Sequence, residues 1–255
     1  MMDNHKLAHL HEYLLRLGDS TLVLGQRLSE WCGRGPALEE DIALTNVALD
    51  LIGQTRLWLG YAAEVEGAGR SADQLAFLRD AHQFRNLLLA EQPNGSYADT
   101  LARQFLFDTW HYFQLEALQR STDARIAEIA AKSLKEVTYH VRRSADLVVR
   151  LGDGSEESHC RMQDAFGDLW MFTGELFEAD AAEAALARAG VIPDPATLAE
   201  PWQRHVGEVL EEATLRVPAS QWAQSGGRHG RHTEHLGYLL AEMQFLQRAY
   251  PGAQW

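Results

Sequence analysis

Cysteine is scarce: Cys32 and Cys160 are the only two in 255 residues, and they form no CxxC pattern. Two reduced thiols in a cytosolic protein are therefore expected, not a disulfide framework. Basic charge is also short. Lys plus Arg is 23 against 36 Asp plus Glu, a formal net charge of −13. Such a chain attracts neither nucleic acid nor an anionic membrane, although a local basic pocket for a phosphate-bearing ligand stays open. No stretch of about 18 uncharged apolar residues occurs, so no membrane span is expected. The opening MMDNHKLAHLHEY has no basic segment leading into an apolar core and does not read as a signal peptide, which suggests a cytoplasmic protein. Also missing are strand-like alternation, internal repeats, low-complexity tracts, a nucleophile elbow, a P-loop and a dinucleotide fingerprint.

What is present is apolar residues at helical spacing almost throughout. Helices are predicted over about 7–31, ended by GRGP (33–36), and over 38–66, ended by GAG (67–69). A third over 72–91 is broken by QPNGS (92–96), and a fourth covers 97–120. Ser121, Thr122 and Asp123 offer N-cap chemistry for a fifth, running to Leu151 before GDGS (152–155). A sixth is predicted over 156–189, with Gly167 and Gly174 as close-packing points, a seventh over 196–216, and a last from Thr233 to before Pro251. Long helices joined by short turns predict an all-α, ferritin-like four-helix bundle with additional C-terminal helices. The expectation is a single domain over 1–255, with its core bundle at about 7–151 and appended helices at about 156–255.

The chemical question lies in KEVTYHVRR (135–143). A carboxylate-bridged di-iron bundle takes one carboxylate from each of two helices and Glu-x-x-His from each of the other two. With Glu136 as the carboxylate, Tyr139 stands in the imidazole slot, and a phenol with a pKa near 10 is a poor default ligand. In ALDLIGQTR (48–56), Asp50 is followed at the same spacing by Gly53, which has no side chain to offer. Asp19 and Asp108 suit the single-carboxylate positions. Four acids without an imidazole in either slot read as a lost site, so no catalytic, cofactor or metal residue is assigned to this chain.

A rival reading takes Asp108, His111, Glu136 and His140 as ligands of an independent metal-dependent oxygenase. Its two halves fall on consecutive helices, whereas the paired motifs of such bundles lie two helices apart. A third reading makes Lys132, Glu136, His140 and Arg143 a solvated i,i+4 charge ladder. If the four carboxylates do point inward they need compensating cations, and Lys132, Arg143, Arg56 and Arg103 are the candidates.

GGRHGRHTEHLG (226–237) is a second polar cluster. Without a supporting Cys or a further cluster it reads as a Gly-rich loop leading into a helix capped by Thr233, not as a zinc site. Arg228, His229, Arg231 and His232 could instead meet an acidic partner or a phosphate. Trp31, Trp58, Trp110, Trp170 and Trp202 are expected as core or interface aromatics.

The stretches LRLGDSTLVLGQRLSEWCG (15–33), ALTNVALDLIGQTR (43–56), NLLLAEQPNGSYADTLARQ (86–104) and HTEHLGYLLAEMQFLQRAYPGAQW (232–255) resemble the C-type subunits of the phenylacetyl-CoA 1,2-epoxidase family. The resemblance implies a ferritin-like protein of aerobic phenylacetate catabolism. It implies a non-catalytic structural subunit that pairs with and stabilises a di-iron catalytic subunit in a heterodimer or higher assembly. It also implies a small accessory subunit, and a reductase carrying FAD and a 2Fe-2S cluster. The complex would epoxidise the ring of phenylacetyl-CoA using NADPH and O2, with no cofactor on this chain.

Overall fold

A computed structural model describes residues 4–219 and 222–253. Among these there is no strand, and eleven α-helices carry the fold: α1 (Asn4–Ser29), α2 (Leu38–Glu66), α3 (Ala72–Phe77), α4 (Leu88–Glu91), α5 (Tyr97–Leu118), α6 (Ala124–Gly152), α7 (Glu156–Leu169), α8 (Ala181–Arg188), α9 (Ala199–Glu212), α10 (Glu234–Met243) and α11 (Phe245–Ala249). The all-α, ferritin-like class is the one expected. The chain divides into two compact units, residues 1–93 with 226–255, and residues 94–225.

In the first unit α1 and α2 form a long antiparallel hairpin. His11 Nδ1 bonds the Ala62 carbonyl at 2.9 Å, and the Thr21 and Thr55 hydroxyls share a 2.8 Å bond. At Gly18 the helices touch so closely that an added Cβ would lie 2.7 Å from Leu59 Cγ. Glu39, Glu40 and Asp41 complement the positive N-terminus of α2, and Gly67 at φ 68° closes its C-terminus through an N–H bond to Ala63 O.

The helix predicted over 72–91 is three short pieces, α3, a 3-10 turn at Ala81–Gln83, and α4. Side chains of α1 interrupt it by taking its backbone donors. The Arg85 N–H donates to Asp19 Oδ2 at 2.8 Å and the Leu87 N–H to Ser20 Oγ at 3.1 Å, so neither is available for an i→i−4 bond. A capping box at Ser71 with Gln74 opens α3, and one at Asp80 with Gln83 opens the 3-10 turn after the first break.

In the second unit α5 packs against α6, α7 and α9, and is buried on nearly every side from Ala98 to His111. Asp123 accepts the N–H groups of Arg125 and Ile126 and opens α6 where the cap was expected. The helix predicted over 156–189 stops at Leu169 and passes through two 3-10 turns, at Trp170–Phe172 and Gly174–Phe177, before α8. The Leu176 carbonyl, freed by that break, accepts Trp110 Nε1 at 3.1 Å. Gly174 is a tight position, where a Cβ would come within 2.9 Å of Ala223 Cβ. Gly167, expected to be another, has nothing within 4 Å. Trp58 and Trp202 are core residues, and both cysteines are exposed and unpaired.

Candidate functional site

The facing surfaces of α5 and α6 carry the polar cluster in which catalytic chemistry would be sought. The inward seam of α6 runs Ile126, Ala130, Ser133, Val137, His140, Ser144, Leu147, at the alternating four and three spacing of a buried stripe, with Ile129 beside it. That register sets the fate of KEVTYHVRR. Tyr139 is 51% exposed and Glu136 is half-buried, while His140 is 1% exposed. Gly53 is exposed as well. Both positions expected to have replaced imidazoles therefore lie at the surface. The imidazole that points inward is His140, which a solvated charge ladder cannot accommodate.

Opposite it on α5 stand Asp108 and His111, each 1% exposed. Gln104 Nε2 donates to Asp108 Oδ1 at 2.6 Å, and Oδ2 has no hydrogen-bond partner. Burial pushes the Asp108 carboxyl up to about 6, against the opposing pull of the His140 imidazole, the Gln104 amide, the nearby Ser144 hydroxyl and the Arg143 charge. The Ser144 hydroxyl itself donates to the His140 carbonyl at 2.9 Å. Burial, helped by His140, pushes His111 down to about 3, and neither of its ring nitrogens has a hydrogen-bond partner. Phe107 and Trp110 flank the His111 ring at 5.2 and 6.1 Å. This unit thus keeps a neutral imidazole beside a carboxyl that titrates in the weakly acidic range.

In the first unit Asp19 is fully buried and closely ion-paired with Arg79. The same guanidinium donates to the Leu75 and Gln83 carbonyls and lies 4.4 Å over the Phe84 ring. None of the four cations nominated from the sequence pairs with Asp19, although one of them, Arg143, offsets the charge of Asp108. Lys132 and Arg56 are exposed, buried Arg103 donates to Asn94 Oδ1 at 2.7 Å, and half-buried Arg143 acts on Asp108. Asp50 is half-buried.

The 226–237 loop is anchored by a carboxylate the sequence did not single out. Glu91, fully buried, accepts His232 Nδ1 and Asn86 Nδ2 on Oε2, both at 2.8 Å. Its Oε1 accepts the Thr233 N–H at 2.7 Å and the Thr233 hydroxyl at 2.8 Å. His232 and Thr233 are engaged inside the fold, Arg228 is buried, and His229 and Arg231 are exposed. Thr233 holds the N-cap position of α10, but its side chain caps no helix N–H.

These donors do not fit a di-iron centre. Two irons need bridging carboxylates and an imidazole each. Of the four carboxylates considered, only Asp19 and Asp108 are fully buried, and Asp19 is committed to Arg79. Asp108, His111 and His140 come together while Glu136 sits at the margin, and no group of three or more His, Cys, Asp or Glu among the described residues is disposed to hold a metal ion. The family described as phenylacetic acid catabolic protein matches residues 1–255. The C-type subunit of 1,2-phenylacetyl-CoA epoxidase from Escherichia coli (strain K12) is similar over 249 residues at 53% identity, covering 98% of this chain and 100% of the relative.

Proposed function

Since the chain belongs to the phenylacetic acid catabolic protein family, we propose that it is the non-catalytic structural subunit of a phenylacetyl-CoA epoxidase, pairing with and stabilising the di-iron catalytic subunit. The observation that carries this reading is the exposure of Gly53 and Tyr139, which leaves neither slot able to deliver an imidazole to a two-iron centre. Of the carboxylates left behind, Asp19 is neutralised by Arg79, while Asp108, raised to about 6, stays largely ionised at neutral pH with only Gln104 and the nearby His140, Ser144 and Arg143 to offset its burial. Such a chain contributes a folded helical surface to the complex rather than reacting atoms, and works in the cytoplasm. The iron belongs to the catalytic partner, the flavin and iron–sulfur cluster to the reductase.

Two measurements test this. The purified chain, expressed with iron supplied, should hold none in stoichiometric amount, whereas about two irons per chain would overturn the reading. The chain should also co-purify with the catalytic subunit and melt at a higher temperature in its presence, as binding to the folded state requires.

A further inference from the structure

Helix α2 carries an outward stripe that its own fold leaves uncovered. Leu38, Ile42, Leu49 and Ile52 are 72, 52, 60 and 42% exposed. At 3.6 residues per turn they share one face, and Gly53, Arg56 and Gly60 continue it, for about 33 Å from Leu38 to Gly60. The two glycines are unexplained from within. A glycine inside a helix costs stability relative to alanine, yet a Cβ at Gly53 or Gly60 would meet nothing within 4 Å, in contrast to Gly18 against Leu59. Beyond Gly60 the stripe opens onto a concavity lined by Ala63, Glu64, Gly67 and Arg70. One half of the stripe is therefore bulky and apolar and the other is cut away, the relief into which a long antiparallel helix seats its own side chains.

A second copy of this chain fits the relief and fails on charge. The register that puts Ile42 opposite Gly60 and Leu49 opposite Gly53 also brings exposed Glu64 beside Leu38 and Glu39 at both ends of the seam. That places like charges together in two chains of net charge −13 each. We propose that this α2 face is the docking surface for a long helix of the catalytic subunit, one with bulky apolar side chains opposite Gly53 and Gly60 and a basic side chain at the Glu39 and Glu64 ends. The inference rests on the pairing reading above and adds to it the surface used.

The test is capture of the untagged full-length chain by tagged catalytic subunit. Leu49→Glu and Gly53→Leu should each weaken capture at least about tenfold, while Tyr238→Ser, at an aromatic on α10 more exposed than Leu49, leaves it unchanged. Isolated Leu49→Glu should keep about the wild-type melting temperature, and Gly53→Ala and Gly53→Leu should each raise it by about 1–3 °C. Wild-type capture that both α2 variants retain in full would overturn this surface and leave the pairing standing. No capture of the wild type would overturn both. A wild-type homodimer in sedimentation that Leu49→Glu abolishes would make the occupant a second copy and overturn the partner named here.

Discussion

The two units meet the same electrostatic problem in opposite ways. In the first, a guanidinium is brought to Asp19, and Glu91 is surrounded by four donors from Asn86, His232 and Thr233. In the second, Asp108 has one amide donor and a bare oxygen, and burial raises its carboxyl to about 6, so at neutral pH its charge is held without a full set of partners. A buried ion pair fixes geometry at the expense of two desolvated charges, whereas a buried acid with a raised pKa fixes little but makes stability depend on pH. The first unit should accordingly be sensitive to truncation and the second to acidity.

The largest effect is expected from Arg79→Met, which leaves Asp19 buried and unpaired. Urea unfolding should show a loss of about 3–5 kcal/mol, most of it recovered by adding Asp19→Asn. A small loss would mean the first unit tolerates a bare carboxylate as the second does. Next is Asp108→Asn. A carboxyl held at about 6 when folded against 3.8 in the free side chain burdens the folded state above pH 6, and the burden lifts as pH falls from 6 to 3.8. The variant should therefore gain about 2–3 kcal/mol at pH 8 and nothing near pH 4. His111→Leu works the other way. The imidazole, at about 3 when folded against 6.5, adds no burden above pH 6.5, and stability is lost as pH drops from 6.5 toward 3. The variant should exceed wild type by about 2–3 kcal/mol at pH 4.5 and match it at pH 8. The smallest effect is Lys132→Ala, at most about 0.5 kcal/mol at any pH, because the ammonium is exposed. A clear loss there would restore Lys132 as a compensating charge.

The long helices were legible because their signals are local. The cap at Asp123, the stop at Gly67 and the limits of α2 follow from residues within a turn of each boundary. The break in 72–91 was half legible. The Ser71/Gln74 and Asp80/Gln83 boxes stand in the sequence, but the capture of the Arg85 and Leu87 amides by α1 depends on residues 66 and 67 positions away. The same distance hid Arg79, 60 residues from Asp19, behind four cations that share a helix with the carboxylates or lie near them in sequence. His140 was within reach. It is in step with Val137 and Ser144 on the buried seam, and the ligand spacing drew attention to Tyr139 instead.

The seating of the 226–230 loop sets an order of events during synthesis. Gly227 and Gly230 run so close to the backbone of residues 82 and 86 that a Cβ at either would collide with a carbonyl oxygen. Glu91 gains its His232 and Thr233 partners only through the same closure. Residues 94–225 are contiguous and emerge from the ribosome before the segment that completes the first unit. The second unit can fold as it is made, while α1 and α2 wait, with Glu91 lacking its His232 and Thr233 partners, for a contact more than 130 residues away in the chain, the kind of long-range closure that is slow and leaves an incomplete intermediate exposed to aggregation.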